Sequence, residues 1–200
     1  AKNVFGFDPE VPLILVLGGS QGSQRINNFI LDSLERFVSD YQVLHQTGPT
    51  NFDEFKREIA IAAKDLIPEL QKRYKAVPYI NTELKDALCA ADLVIARAGS
   101  ATLFEIALFD KPAILIPLKE SSRNHQYFNA YEYQRKGGCV VVEEDNLKPT
   151  ILFAQIEKIL SDTEVYRSMS VQARDFAKPY AALVIAQEIT RLVFGVQLEP

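Results

Sequence analysis

The chain uses one local pattern twice: a run of aliphatic residues, a turn of small residues and then a helix. In the first copy, Leu13–Leu17 precedes the turn GGSQGS at residues 18–23, and apolar residues then recur at helical spacing over residues 26–38. In the second copy, the stretch LVIARAGSATLFE at residues 93–105 runs from strand through turn into helix. Strands that are apolar at every position are typical of parallel sheets buried on both faces. This pattern predicts a parallel sheet with helices packed on it.

The alternation of strands and helices continues along the chain. Four further strands are predicted, at residues 42–45, 76–80, 113–116 and 139–142, and residues 149–194 are predicted to be wholly helical. Together these elements predict an α/β fold, a doubly wound parallel sheet of about six strands with C-terminal helices. We expect one domain at residues 13–194, preceded by a linker remnant at residues 1–12 and followed by a tail at residues 195–200.

Charge and composition exclude several classes of protein. The net charge is −4, from 22 basic and 26 acidic residues that are well mixed, so the sequence offers no broad basic surface for nucleic acid or a membrane. Any site for an anionic ligand must therefore be local. The two cysteines, Cys89 and Cys139, are expected to be buried free thiols. The longest apolar runs are far shorter than the roughly 20 residues of a membrane-spanning helix, so we expect a soluble protein.

The first glycine turn, at residues 18–23, is typical of a phosphate-binding loop. A P-loop would end in Gly-Lys-Ser/Thr, and this turn contains no lysine, which disfavours ATP hydrolysis. A dinucleotide fingerprint would need G-x-G-x-x-G and an acidic residue after the second strand, where His45 and Gln46 stand instead. NAD is therefore disfavoured as well. A tight turn needed only for close packing of strand and helix remains the alternative.

The second glycine turn combines two features that favour a nucleotide. Its backbone amides and the start of the following helix favour phosphate, because a helix N-terminus carries a partial positive charge. The carboxylate of Glu105 can accept hydrogen bonds from two neighbouring hydroxyls, as on a ribose. The alternative is that Thr102 and Glu105, which have the S/T-x-x-E spacing, form a capping box and bind no ligand.

A third element, at residues 119–130, follows the fifth predicted strand. It is rich in neutral hydrogen-bonding groups, which bind sugar hydroxyls without requiring charge. These polar residues are Ser121, Ser122, Arg123, Asn124, His125, Gln126 and Asn129. The alternative is that Asn124 caps the helix and the others are solvated. Because the carboxyl ends of parallel strands lie at one edge of the sheet, all three elements are expected to converge on one crevice.

With these motifs in place, the chain resembles the MurG family of glycosyltransferases, specifically their C-terminal, donor-binding half. The resemblance covers residues 13–194 and rests on four motifs: LGGSQGS at 17–23, ARAGSATLFEI at 96–106, DKPAILIPL at 110–118 and NHQYFNA at 124–130. It implies one Rossmann-like half of a GT-B enzyme. The chain departs from the family pattern at Ser23, which is usually alanine, at Asp110, where a glycine commonly ends the helix, and at His125, which is glutamine in relatives.

The resemblance implies a role for ten residues in binding UDP-GlcNAc. Ser20 and the neighbouring amides of Gly19 and Gln21 would hold the diphosphate, and Ala101 and Thr102 would flank it. Ile80 would present its backbone to the uracil, and Glu105 would bind the ribose hydroxyls. His125, Gln126 and Asn129 would contact the hydroxyls of the sugar. No metal and no further cofactor is implied, and neither His45 nor His125 has partners at metal-ligand spacing.

The implied activity is the transfer, with inversion, of N-acetylglucosamine from UDP-GlcNAc to the lipid-linked muramoyl-pentapeptide precursor of peptidoglycan. The family's acceptor half is not in this sequence, so we expect the chain to be one half of a longer enzyme and inactive by itself. The catalytic base and any peripheral contact with the membrane would belong to the other half. The implied location is cytoplasmic, at the inner face of the plasma membrane.

Two alternatives to this activity remain open. One is a separate UDP-sugar-binding subunit that requires a partner chain for the acceptor. The other is a UDP-GlcNAc 2-epimerase, which shares the architecture but needs its own acid and base beside the sugar. The epimerase is less favoured because residues 119–129 contain no pair of carboxylates.

Overall fold

The computed structural model describes residues 1–119 and 124–195 as an α/β fold around a parallel sheet. The sheet has six strands in the order β3-β2-β1-β4-β5-β6, and all neighbouring pairs are parallel. The strands are β1 Leu13–Leu17, β2 Gln42–Gln46, β3 Tyr74–Val77, β4 Leu93–Ala96, β5 Ala113–Leu115 and β6 Cys139–Val141. The predicted doubly wound sheet is confirmed, and the strand order reverses direction between β1 and β4.

Helices connect the strands and continue after the last one. They are α1 Gln24–Asp32, α2 Leu34–Asp40, α3 Phe52–Ala62, α4 Pro68–Gln71, α5 Leu84–Ala90, α6 Ser100–Leu108, α7 His125–Arg135, α8 Pro149–Ser161, α9 Thr163–Phe176 and α10 Ala181–Phe194. The single helix expected over residues 26–38 is in fact two, because Ser33 has non-helical dihedral angles. Asp32 and Ser33 are weak helix formers whose side chains compete for backbone hydrogen bonds.

The core lies on both faces of the sheet, as strands that are apolar at every position require. All five residues of β1 are buried. Leu13, Leu15 and Leu17 belong to a cluster on one face that includes residues of α5 and α6. Ile14 and Val16 belong to a cluster on the other face with residues of α1, α2 and α8. The side chains of β1 therefore pack against helices on both faces of the sheet, and the carboxyl end of the strand is left for a ligand.

The third strand lies earlier in the chain than predicted. The sequence predicts residues 76–80, whereas β3 is Tyr74–Val77. Pro78 has no N–H to donate to the neighbouring strand, so regular pairing ends before it. As a result Ile80 lies in the loop after β3, at the carboxyl edge of the sheet, where it is buried.

The N-terminal segment packs onto the sheet. Lys2 Nζ forms an ion pair of 2.8 Å with Asp92, and Phe7 is buried in the core. The assignment of residues 1–12 as a linker remnant stays a prediction, and residues 196–200 lie outside the described residues.

Within residues 1–119 and 124–195, no helix is long and apolar enough to cross a bilayer. The prediction of two buried thiols is correct for Cys139 and wrong for Cys89, which is exposed.

The loops after β1 and β2 touch each other backbone to backbone. Gly22 has a φ of +79°, and a Cβ atom there would lie 1.9 Å from the carbonyl oxygen of Thr47. Gly48 makes the reciprocal contact, since its Cβ would lie 2.2 Å from the carbonyl oxygen of Gln21. Gly19 also has a positive φ, of +92°, but no atom lies within 4 Å of its virtual Cβ.

This contrast predicts different costs for two glycine substitutions in one loop. Gly22→Ala adds an unavoidable backbone clash to left-handed strain, and we expect a loss of at least about 3 kcal/mol of unfolding free energy. Gly19→Ala, the matched control, should lose about 1–2 kcal/mol from backbone strain alone. Urea denaturation of the parent and the two variants measures both losses of unfolding free energy. Equal losses in the two variants would contradict the close backbone contact between Gly22 and Thr47.

Candidate functional site

A crevice of about 760 Å³ lies at the carboxyl edge of the sheet. Its walls come from the loops after β1, β3, β4, β5 and β6, as the alternation of strands and helices predicts. Eight of the ten predicted contact residues line it: Gly19, Ser20, Gln21, Ile80, Ala101, Thr102, Glu105 and Gln126. His125 and Asn129 are not among the lining residues of the described chain. The three predicted elements thus converge on one site.

Gln46, the last residue of β2, joins two of these loops. Its Nε2 donates to the carbonyl oxygen of Gly19 at 2.9 Å, and its Oε1 accepts from the N–H of Ile80 at 2.9 Å. One side chain therefore holds the glycine loop and the loop after β3 at a fixed separation. Because the N–H of Ile80 is already used, the backbone group that this residue can offer to a ligand is its carbonyl.

The start of α6 forms a further wall of the crevice. The helix begins at Ser100 after Gly99, and its first intrahelical bond runs from the N–H of Leu103 to Gly99. The N–H groups of residues 100–102 precede that bond and can meet an anion, as at other helix N-termini. Thr102 is the third helical residue and no side chain caps this end. The capping-box alternative for Thr102 and Glu105 is therefore wrong.

Glu105 lies one turn further along α6 on the face that carries Thr102. Its carboxyl group is half-buried and lines the crevice. Burial raises the pKa of this carboxyl, because desolvation disfavours its charged form. The contact of Glu105 with a ribose stays a prediction.

A buried arginine follows β4 directly and connects several loops. Arg97 Nη2 donates to Ser23 Oγ and to Glu144 Oε1, each at 2.6 Å, and Nη1 donates to the carbonyl oxygen of Ile116 at 3.0 Å. Glu144 Oε2 in turn accepts from the backbone N–H of Lys119 at 3.2 Å. Ser23 also caps α1 by accepting from the N–H of Ile26. The loops after β1, β4, β5 and β6 are thus linked through one ion pair.

The polar element after β5 is described only in part. Ser121, Ser122 and Arg123 lie outside the described residues, so their predicted contacts are not addressed by the structure. Gln126 Oε1 accepts from the N–H of Leu118 at 3.0 Å, and Asn129 Nδ2 donates to the carbonyl oxygen of Ala98 at 3.1 Å. These bonds fix α7 against the loops after β5 and β4.

The alternative in which the side chain of Asn124 caps α7 is wrong. Asn124 precedes the helix with a φ of 55°, but its side chain makes no capping hydrogen bond. His125, the first helical residue, is exposed. The sugar contacts predicted for His125, Gln126 and Asn129 stay predictions.

Gln46, Arg97 and Glu144 are site residues that the sequence analysis did not assign. All three line the crevice. Gln46 is the last residue of β2 and Arg97 directly follows β4, and a polar residue at the carboxyl end of a buried strand is the signal that could have identified them. Glu144 is one of several acidic residues in the segment VVVEED, and nothing in the sequence distinguishes it from its neighbours.

His45 belongs to the core. It is buried, its Nδ1 lies 2.8 Å from the hydroxyl of Tyr74, and its ring packs edge-on against Phe55. Burial lowers the pKa of His45 to about 3. Among the residues that the structure describes, no group of three or more His, Cys, Asp or Glu side chains is arranged to hold a metal ion.

Comparison with known proteins identifies related sequences and structures. The family model described as "Glycosyltransferase family 28 C-terminal domain" matches residues 13–185. The UDP-N-acetylglucosamine–N-acetylmuramyl-(pentapeptide) pyrophosphoryl-undecaprenol N-acetylglucosamine transferase of Treponema denticola is 35% identical over 191 residues, covering 92% of this chain and 49% of that protein. The chain thus spans about half the length of the curated relatives it matches.

Two solved structures are similar in fold. The crystal structure of Acinetobacter baumannii MurG matches with a TM-score of 0.75 and 25% identity, over 92% of this chain and 51% of that one. A putative UDP-N-acetylglucosamine 2-epimerase from Listeria monocytogenes matches with a TM-score of 0.67 and 15% identity, over 94% of this chain and 46% of that one. At that identity the second likeness concerns the fold alone.

The buried imidazole predicts a pH dependence of stability. His45 stays neutral in the folded protein down to its pKa of about 3, whereas the unfolded chain binds a proton below about 6.5. Stability is therefore lost as the pH falls from 6.5 towards 3. His45→Gln should be less stable at pH 7, but between pH 7 and pH 5 it should lose about 2 kcal/mol less than the parent.

Urea denaturation at the two pH values measures this difference. A parent-like loss in His45→Gln would contradict the neutral, buried state of His45.

Proposed function

Because this chain belongs to the glycosyltransferase family 28 C-terminal domain family, we propose that it is the donor-binding half of an N-acetylglucosamine transferase. The donor would be UDP-GlcNAc and the acceptor the lipid-linked muramoyl-pentapeptide, as the name of the Treponema denticola relative states for that protein. The observation that carries the proposal is the crevice in which two glycine turns, the start of α6 and Glu105 meet.

The diphosphate would lie between the glycine loop and the start of α6. Gly19, Ser20 and Gln21 of the glycine loop and Ala101 and Thr102 of α6 all line the crevice. Amide N–H groups of both elements would bind the phosphate oxygens, and the dipole of α6 would favour their charge. During transfer the leaving UDP gains negative charge on its β-phosphate, which these preorganised donors would stabilise without a metal.

The nucleoside would lie in the part of the crevice between Ile80 and Glu105. The carbonyl of Ile80 would accept a hydrogen bond from the uracil, and the carboxylate of Glu105 would accept from the ribose hydroxyls. Tyr79 and Leu84 line the same part of the crevice and would supply apolar surface to the base. The sugar would then lie towards α7, within reach of His125, Gln126 and Asn129.

The acceptor and the catalytic base would come from a second half. Transfer requires an acceptor hydroxyl held about 3–3.5 Å from the anomeric carbon, with a base to take its proton. We propose that the other half of a longer enzyme supplies both, together with any peripheral contact to the cytoplasmic face of the plasma membrane. Residues 13–194 would then be the donor domain, and residues 1–12 part of the connection between the halves. A separate partner chain that supplies the same groups is the alternative.

The proposal predicts the ligand preference of this chain. We expect binding of UDP-GlcNAc and UDP, and no comparable binding of ATP or NAD, because the glycine loop has neither the P-loop lysine nor the dinucleotide fingerprint. Isothermal titration calorimetry with the four ligands measures this preference. An affinity for ATP equal to that for UDP would contradict the assignment of a uridine nucleotide.

The role of Glu105 gives a second prediction. Glu105→Gln should lose about 1.5–3 kcal/mol of UDP binding, the usual range for hydrogen bonds to a charged group, with little change in unfolding free energy. Glu157→Gln, which alters an exposed carboxylate of α8 outside the crevice, is the matched control and should bind as the parent does. Unchanged UDP affinity in Glu105→Gln would contradict the ribose contact.

A further inference from the structure

We propose that Arg97 contacts the diphosphate of the donor, and that Glu144 is an internal carboxylate that competes with the diphosphate for the same guanidinium. This inference rests on the proposed function. It assigns to the ion pair a second role besides linking the loops, because Glu144 would limit how tightly the crevice binds an anion. Its basis is the position, the bonding and the charge of the two side chains.

The ion pair is enclosed, yet both of its members reach the crevice. The Arg97 side chain is 9% exposed and that of Glu144 is 16% exposed, and their closest atoms are 2.6 Å apart. Both residues line the crevice together with Ser20 of the glycine loop and Thr102 of α6. An anion held by these two elements would therefore lie in the same crevice as the guanidinium.

The guanidinium has bonding capacity left for a ligand. Within the part of the chain that the structure describes, Arg97 makes three hydrogen bonds, to Ser23, Ile116 and Glu144. An arginine has five N–H groups, so two remain for an incoming oxygen. The contacts with Ser23 and Ile116 do not depend on the carboxylate. They would keep the guanidinium in place when Glu144 is changed.

The effect of Glu144 on diphosphate affinity follows from the charges of the side chains that line the crevice. Among the residues that the structure describes, the charged side chains that line it are Arg25, Arg97, Glu105 and Glu144. Their formal charges sum to zero, so these side chains add no net attraction for a diphosphate to that of the backbone amides and the α6 dipole. Removing the charge of Glu144 would leave a net positive crevice and a buried arginine whose counter-ion has to come from the ligand. The protein without ligand should then be less stable, and its affinity for a diphosphate should rise.

The test is Glu144→Gln, measured against UDP and uridine by calorimetry at low salt. We expect UDP to bind roughly three- to tenfold more tightly than to the parent, the usual effect of removing one like charge a few ångströms away. Uridine has no phosphate, and its affinity should stay within about twofold. Arg97→Gln should weaken UDP by about tenfold or more and leave uridine unchanged.

Asp145→Asn is the matched control. It removes the same charge from the next residue, whose side chain is 68% exposed and contacts Lys119 Nζ. Its UDP affinity should stay within about twofold of the parent, because exposed charges are screened. An equal gain in Asp145→Asn, or no gain in Glu144→Gln, would overturn the inference while leaving the proposed function intact.

A measurement on the parent protein covers the case in which a variant does not fold. In nuclear magnetic resonance spectra, UDP should shift the guanidinium signals of Arg97 and the amide signal of Lys119, whose N–H is bonded to Glu144. Uridine should shift neither. Unshifted Arg97 signals at saturating UDP would overturn the inference. Failure of the parent to bind UDP would overturn the proposed function, and the inference with it.

Discussion

The crevice depends on the direct contact of two backbones, at Gly22 and Thr47. No side chain separates the loops after β1 and β2, so the glycine loop lies against the end of β2. Gln46 then reaches both Gly19 and Ile80 from that strand end. A larger separation of the loops would break this bridge and release two walls of the crevice together. Close packing of glycines at a strand end is thus what fixes the positions of groups that come from distant parts of the chain.

An acidic protein can still provide a local site for an anion. The net charge is −4, yet the crevice is lined in part by the start of α6, where the N–H groups of residues 100–102 precede the first intrahelical bond. Amides carry partial charge without any titratable group, so the site does not need a basic surface. The buried guanidinium of Arg97, which also lines the crevice, is paired with Glu144 at 2.6 Å. The partial charges of backbone amides, rather than the net charge of the protein, therefore make the crevice suitable for an anion.

The sequence predicted the elements well and the contacts between them poorly. Leu13–Leu17 was predicted residue for residue, because a strand buried on both faces has an unbroken apolar run. β3 was displaced, because the effect of Pro78 on pairing outweighs the apolarity of Ile80. The bridge made by Gln46 and the ion pair of Arg97 connect residues 34 and 47 positions apart. Patterns among neighbouring residues do not predict contacts between residues so far apart in the sequence. The capping-box alternative is also wrong, because Gly99 rather than Thr102 precedes α6.

The hydrogen bond between Gln46 and the N–H of Ile80 also bears on which nucleobases the proposed site accepts. With its N–H occupied, Ile80 offers the base an acceptor and no donor. A base must therefore bring a proton to this position. Uracil does so with its ring N3–H, whereas cytosine has a lone pair on the same atom and would face the carbonyl with like polarity. In the proposed binding mode, the hydrogen bond from the Ile80 N–H to Gln46 would thus disfavour cytidine nucleotides.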